Sequence, residues 1–151
     1  MKNHFEILNI TRNNILNSIK DLSLSELNKI PIGFNNNVIW NVGHIVATQQ
    51  LLCYKMSGLD MALDAAFIAK YMKGSFAVGD ASQEELDYIV KQLKELPAKV
   101  EADYANQLFK EYNTYTTSYN ITLNDVEQAI QFNNVHEGLH LGYIMAMKKG
   151  L

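Results

Sequence analysis

Asn133-Asn134-Val135-His136-Glu137-Gly138-Leu139-His140-Leu141-Gly142-Tyr143 places two histidines four residues apart inside an amphipathic run. On a helix, positions i and i+4 are neighbours on one face, with Cβ atoms about 5–6 Å apart. Imidazoles so placed can converge on one metal ion, each bond being roughly 2.0–2.1 Å. The surrounding segment, from about Leu123 to Lys149, reads as a long final helix. Val126, Ala129, Ile130, Asn133, His136, Glu137, His140, Ile144 and Met147 share one broad face of it. Four polar residues therefore interrupt an otherwise apolar stripe. Thr122 or Asn124 is the expected N-cap, Asp125 and Glu127 favour the positive end, and Gly150 ends the helix.

Three further helical patterns precede it. Leu8, Thr11, Ile15, Ile19 and Leu22 recur at helical spacing between about Lys2 and Asp21. Ser23 and Glu26 form a capping-box pattern for a short turn that Pro31 and Gly33 end. A second long helix is expected from Asn36 or Asn37 to about Ser57, with Gly58 as its stop. It is apolar on more than one side, which predicts burial, and it carries His44. Ser82-Gln83-Glu84-Glu85 is a second capping-box pattern, opening a third long helix through Leu86, Ile89, Leu93 and Val100. Pro97 falls inside that helix, where it removes one backbone hydrogen bond and predicts a kink.

Two connections are long. The segment 59–80 holds one short helical pattern between Met61 and Met72, then a break at Lys73-Gly74-Ser75; it is expected to cross one end of the fold. Between Asn106 and Thr122, Phe109, Tyr112, Tyr115, Tyr119 and Ile121 alternate with polar residues, as in a Tyr-rich loop or short hairpin. The tyrosines are read as packing over the core. The fold class predicted is all-α: a four-helix bundle with long crossover connections, residues 1–151 forming one domain.

Composition narrows the function classes. The chain has 151 residues, 48% of them hydrophobic and 19% charged, enough apolar content for a real core. A net charge of −3 lacks the basic footprint that nucleic-acid binding requires. Apolar runs are interrupted well short of a membrane span of about 20 residues. One cysteine, Cys53, permits no internal disulfide, and no apolar leader is visible at the N-terminus, so a cytoplasmic protein is expected. Cys53 itself is read as a small core residue, and His4 as a residue at a helix start.

In a bundle, sites form where side chains project inward from facing helices. His44 can there meet His136 and His140, and three imidazoles with an open position suit a borderline transition metal. Thr48, Asn133 or Glu137 would orient a ligand ring. The same histidines also suit a hydrogen-bonded core.

Trp40-Asn41-Val42-Gly43-His44-Ile45, taken with His136-Glu137-Gly138-Leu139-His140-Leu141-Gly142, resembles the DinB-like (YfiT-type) metal-dependent enzyme superfamily. Segments 22–27, 73–75 and 82–86 fall where that family has similar ones. The resemblance implies a four-helix bundle, often a homodimer, with a divalent metal held by His44, His136 and His140. Tyr143 stands where many relatives have Gln. The resemblance also implies chemistry on a small-molecule substrate: S-transfer from a low-molecular-weight thiol, or hydrolysis. A zinc or nickel ion would make a bound thiol or water nucleophilic at neutral pH. Glu137 is a candidate general base or an orienting group beside the ligands. Two other readings stand beside this one. In the first, the bundle binds a metal or small ligand without catalysis. In the second, the histidines persist but the pocket is closed by segment 59–80 and the Tyr-rich excursion.

Overall fold

The computed structural model describes residues 1–151. Helix α1 spans Lys2–Ile19 and helix α2 spans Leu24–Asn28. Ser23 caps α2 with the full reciprocal box: its hydroxyl accepts from the Glu26 amide, and the Glu26 carboxylate accepts from the Ser23 amide at 2.8 Å. Helix α3 spans Val38–Gln49 behind the Asn37 cap, then continues as a π-helical turn over Gln50–Lys55. The expected stop follows, with Gly58 at φ +69°. Helix α4 covers Ala65–Tyr71, and helix α5 covers Gln83–Ala105, running on through Pro97.

The Ser82 cap is only half the predicted box. Its hydroxyl accepts from the Glu85 amide, but the Glu85 carboxylate turns away to Tyr71 Oη at 2.7 Å and to Lys70. The Tyr-rich excursion is a short hairpin, with β1 at Tyr115–Thr116 antiparallel to β2 at Thr122–Leu123. Helix α6 then runs Val126–Met147, followed by a 3-10 turn at Lys148–Gly150. Its N-cap is Asp125, neither Thr122 nor Asn124: those residues belong to the strand and its exit, while the Asp125 carboxylate accepts from the Gln128 amide at 2.8 Å.

The four long helices form a closed square. α1 packs on α5 and α6, and α3 packs on the same two, so α1 and α3 lie on one diagonal. Directions follow from paired residues. Phe5 meets Val126 and Ile130 near the starts of α1 and α6, and Lys148 reaches the Ser18 carbonyl near their ends, so these helices are parallel. Asn41 at the start of α3 meets His140 and Met147 late in α6, so those two are antiparallel. Arg12 meets the Leu93 carbonyl and Phe5 meets Tyr104, which sets α1 against α5.

α3 and α5 are therefore parallel, and the chain must return the full length of the bundle between them. Segment 59–80 does this. It climbs beside α3 from the Ala62 amide on Gln50 Oε1, through Tyr71 against Gly43, to the Ala77 amide on Asn36 Oδ1. The expectation that it crosses one end of the fold is corrected: parallel neighbours demand a lengthwise return. The central core joins Ile15 and Ile19, Val42 and Ile45, Ile89 and Leu93, and Ile144, drawing on all four helices. The architecture is all-α apart from the hairpin, and no helix is long and apolar enough to cross a membrane.

One polar pair crosses this core. Arg12, the chain's only arginine, is 2% exposed and Glu137 is fully buried. The guanidinium donates to both carboxylate oxygens, at 2.8 Å and 3.0 Å, and to the Leu93 carbonyl; Asn133 donates to the same carboxylate at 2.7 Å. Cys53 lies nearby in charge terms. Burial, reinforced by the Glu137 charge and opposed by Arg12, pushes its thiol up to about 12. The folded chain should therefore resist iodoacetamide at pH 8, and denaturant should expose one reactive thiol. Rapid labelling of the native chain would contradict this placement.

Candidate metal centre

The middle of α3 supplies His44, and Trp40 one turn earlier supports it. The indole lies parallel to the imidazole, with ring centroids 4.7 Å apart and 9° between planes. The indole N–H is in turn held by Ser75 Oγ at 3.0 Å. His44 Nδ1 donates to the Tyr71 carbonyl at 2.7 Å. A carbonyl only accepts, so this bond places the proton on Nδ1 and leaves Nε2 as a bare lone pair.

Gly43 makes that bond reachable. A Cβ there would sit 2.5–2.7 Å from the Tyr71 ring, so only glycine lets α4 lie this close to α3. Gly43→Ala is expected to lift Tyr71 away and destabilise the fold by about 1–3 kcal/mol, as overpacking does. Metal affinity should fall with it, because His44 loses its acceptor; thermal unfolding and metal titration of the same variant read the two effects.

α6 supplies the other two rings, one turn apart. His140 Nδ1 donates to Asn41 Oδ1 at 2.9 Å. Asn41 is oriented for this by its own amide N–H on the Asn37 carbonyl at 2.8 Å. His140 Nε2 is therefore bare as well. His136 Nε2 lies 3.2 Å from His44 Nε2, while its Nδ1 is buried without a partner. The three rings offer ligand atoms that all lie within 4.8 Å of one another. Burial, with the neighbouring His140 and His44 charges, pushes His136 down to about 2; burial and His44 push His140 down to about 3. Burial also lowers His44, against the pull of its Tyr71 bond. All three rings are neutral at physiological pH, the form that binds a metal.

The donor set fits a divalent ion. Two ligands at roughly 2.0–2.1 Å on a tetrahedral ion lie about 3.3–3.4 Å apart, close to the His44–His136 separation. Second hydrogen bonds orient two of the three rings, as metal-binding histidines require.

The rings open onto a cavity of about 520 Å³. Leu51, Leu52 and Met56 line one side, Phe132 and Leu139 another, and Tyr115, Thr117, Ser118 and Tyr119 bring the hairpin over it. Tyr115 and Tyr119 thus wall the pocket, while Tyr112 packs against the core as expected and Tyr119 sits edge-on against the core residue Phe132. Met72 and Lys73 come from the return segment. Both long connections therefore build the pocket and leave it open.

Other predicted residues fall elsewhere. Glu137 is not among the pocket-lining groups, because its carboxylate is consumed by Arg12 and Asn133. Of the expected orienting groups, Thr48 Oγ1 lies 3.4 Å from His44 Nε2, whereas Asn133 turns to Glu137. Tyr143 is half exposed and packs edge-on against Phe34 at 5.3 Å. His4 stays outside the cluster, its carbonyl accepting from Asn134. The groups that do orient the site, Asn41 and the Tyr71 carbonyl, carry little signal in sequence. Asn41 falls three residues before His44, and a backbone carbonyl has no signature at all.

The helical bundle thus brings three neutral imidazoles together in the wall of an open pocket, a group that could hold a metal ion. The DinB superfamily model matches residues 7–144, and the chain belongs to that superfamily. No curated protein matches it.

Proposed function

We propose that this chain is a divalent-metal-dependent enzyme acting on a small molecule, with S-transfer from a low-molecular-weight thiol favoured over hydrolysis. The observation that carries the reading is the convergence of His44, His136 and His140 in the wall of the 520 Å³ pocket. That volume lies within the range of about 300–1,000 Å³ usual for small-molecule sites. A zinc or nickel ion there supplies Lewis acidity, bringing the pKa of a coordinated thiol or water toward neutrality.

The chain's own residues do the rest. His44 and His140 are locked as Nδ1–H tautomers by the Tyr71 carbonyl and Asn41, and so present fixed lone pairs. Leu51, Leu52, Phe132 and Leu139 give the pocket apolar walls. No Asp or Glu lines the cavity, and Glu137 is engaged elsewhere, so no carboxylate is placed as a general base. A thiol or a water whose pKa is lowered on binding needs no such base, so the preference for S-transfer rests on the family resemblance.

The test uses untagged protein. Metal content near one per chain is expected, falling with His136→Ala. Zinc- or nickel-loaded protein should accelerate reaction of small thiols with chlorodinitrobenzene more than it accelerates nitrophenyl ester hydrolysis. Turnover that survives both chelation and loss of His44 would defeat the mechanism. Bound metal with no turnover on any thiol or ester would leave the non-catalytic binding reading in its place.

A further inference from the structure

The charge lining the pocket is lopsided. On a chain with 16 acidic and 13 basic residues, the cavity is lined by two lysines, Lys55 and Lys73, and by no carboxylate. The ion pairs of the fold are Arg12–Glu137, Lys70–Glu85 and Lys99–Asp103, so neither pocket lysine has an acidic partner. Both are exposed at the cavity. They arrive from different elements, Lys55 from the last position of the π-helical turn after α3 and Lys73 from the return segment just after α4. The remaining wall is mainly apolar and aromatic. Low-dielectric walls beside unpaired cations focus a positive field, which concentrates anions and disfavours cations.

We infer that the pocket selects an anionic amphipathic small molecule: an aryl or alkyl body against Leu52, Phe132 and Leu139, with a negative group met by Lys55 and Lys73. The inference rests on the pocket being the substrate site, and it names the substrate class of that site. It adds two specificity residues that lie outside the metal centre.

The probes are 4-phenylbutyrate and its neutral amide, 4-phenylbutanamide, titrated by NMR into the full chain, both zinc-loaded and after chelation. At low salt the chelated wild type should bind the carboxylate about tenfold more tightly than the amide, and the preference should shrink at high salt. The double variant Lys55→Met, Lys73→Met should bring the ratio near one in the chelated chain. In the zinc-loaded chain the same variant should lower the ratio by the same factor, which separates the lysines from direct binding of carboxylate to metal. Neither lysine side chain makes a hydrogen bond or ion pair within the fold, so the variant should unfold at the wild-type temperature. Equal affinity for the two probes in the wild type, binding of neither, or a preference that persists in the double variant would overturn the inference. Zinc content measured on the same samples reads the metal centre separately: a chain that holds zinc yet shows no charge preference overturns the anion inference alone.

Discussion

Glu137→Leu is expected to lower stability by about 3–5 kcal/mol, the cost of stranding one member of a buried ion pair. Arg12 is 2% exposed, and it would lose the acceptors of its Nε and one Nη, keeping only the Leu93 carbonyl. For a domain of this size the loss corresponds to a fall in Tm of roughly 10–15 °C. Against a total stability of about 5–15 kcal/mol, that is a large fraction. The double variant Arg12→Met, Glu137→Leu should recover most of it, since the pair's desolvation cost disappears with its attraction. Asn133 would then keep an unpaired amide, so recovery should be incomplete. Denaturant unfolding of the two variants decides the matter. A single Glu137→Leu change within about 1 kcal/mol of wild type would contradict the buried pair. If Glu137 were the general base, the double variant would regain stability and still be inactive; activity restored together with stability assigns the residue to the fold.

The second large effect is expected at the three-histidine cluster. His136→Ala should reduce divalent-metal affinity by more than the 10–100-fold typical of losing a hydrogen-bond partner behind a ligand. Asn41→Ala, which removes such a partner from His140, should fall inside that range. Equilibrium titration against a chelator ranks the two; equal losses, or none, would argue against a centre built on these rings.

A separate readout needs no metal. His136 and His140 are pushed down to about 2 and 3 by burial and by neighbouring imidazoles, against about 6.5 in the unfolded chain. The unfolded chain therefore takes up protons that the folded chain refuses. Stability of the metal-free protein should be pH-independent above about 6.5 on this account and fall as pH drops below it. Each such ring contributes up to about 1.4 kcal/mol per pH unit. His136→Ala should flatten that acid slope by one proton's worth, measured as denaturant midpoints between pH 7 and pH 5.

What was legible in the sequence was what depends on local pattern. Helix periodicity marked α1, α3, α5 and α6 because each carries apolar residues at helical spacing, and the Ser23 box marked α2 because both partners lie within one turn. The His136/His140 pair and the buried helix bearing His44 were visible for the same reason. In sequence Thr122 and Asn124 compete with Asp125 for the cap; only the structure puts Thr122 into the paired strand β2 and the Asp125 carboxylate on the Gln128 amide. Arg12 carried one faint signal, since it falls four residues after Leu8 and three before Ile15, within the apolar stripe of α1.

The sequence by itself determined the helices, the three candidate ligands and the family, all of which follow from short-range spacing and from motifs. Only the tertiary structure decided the partners. It set Glu137 against Arg12, 125 residues away, and so took from the pocket the carboxylate that lies beside a candidate ligand in sequence. It placed the Tyr71 carbonyl behind His44 by letting the tyrosine ring rest on Gly43, and it ran segment 59–80 lengthwise because α3 and α5 are parallel. Which way a buried polar group turns depends on what the rest of the chain brings within about 3 Å of it, and spacing along one helix does not contain that information.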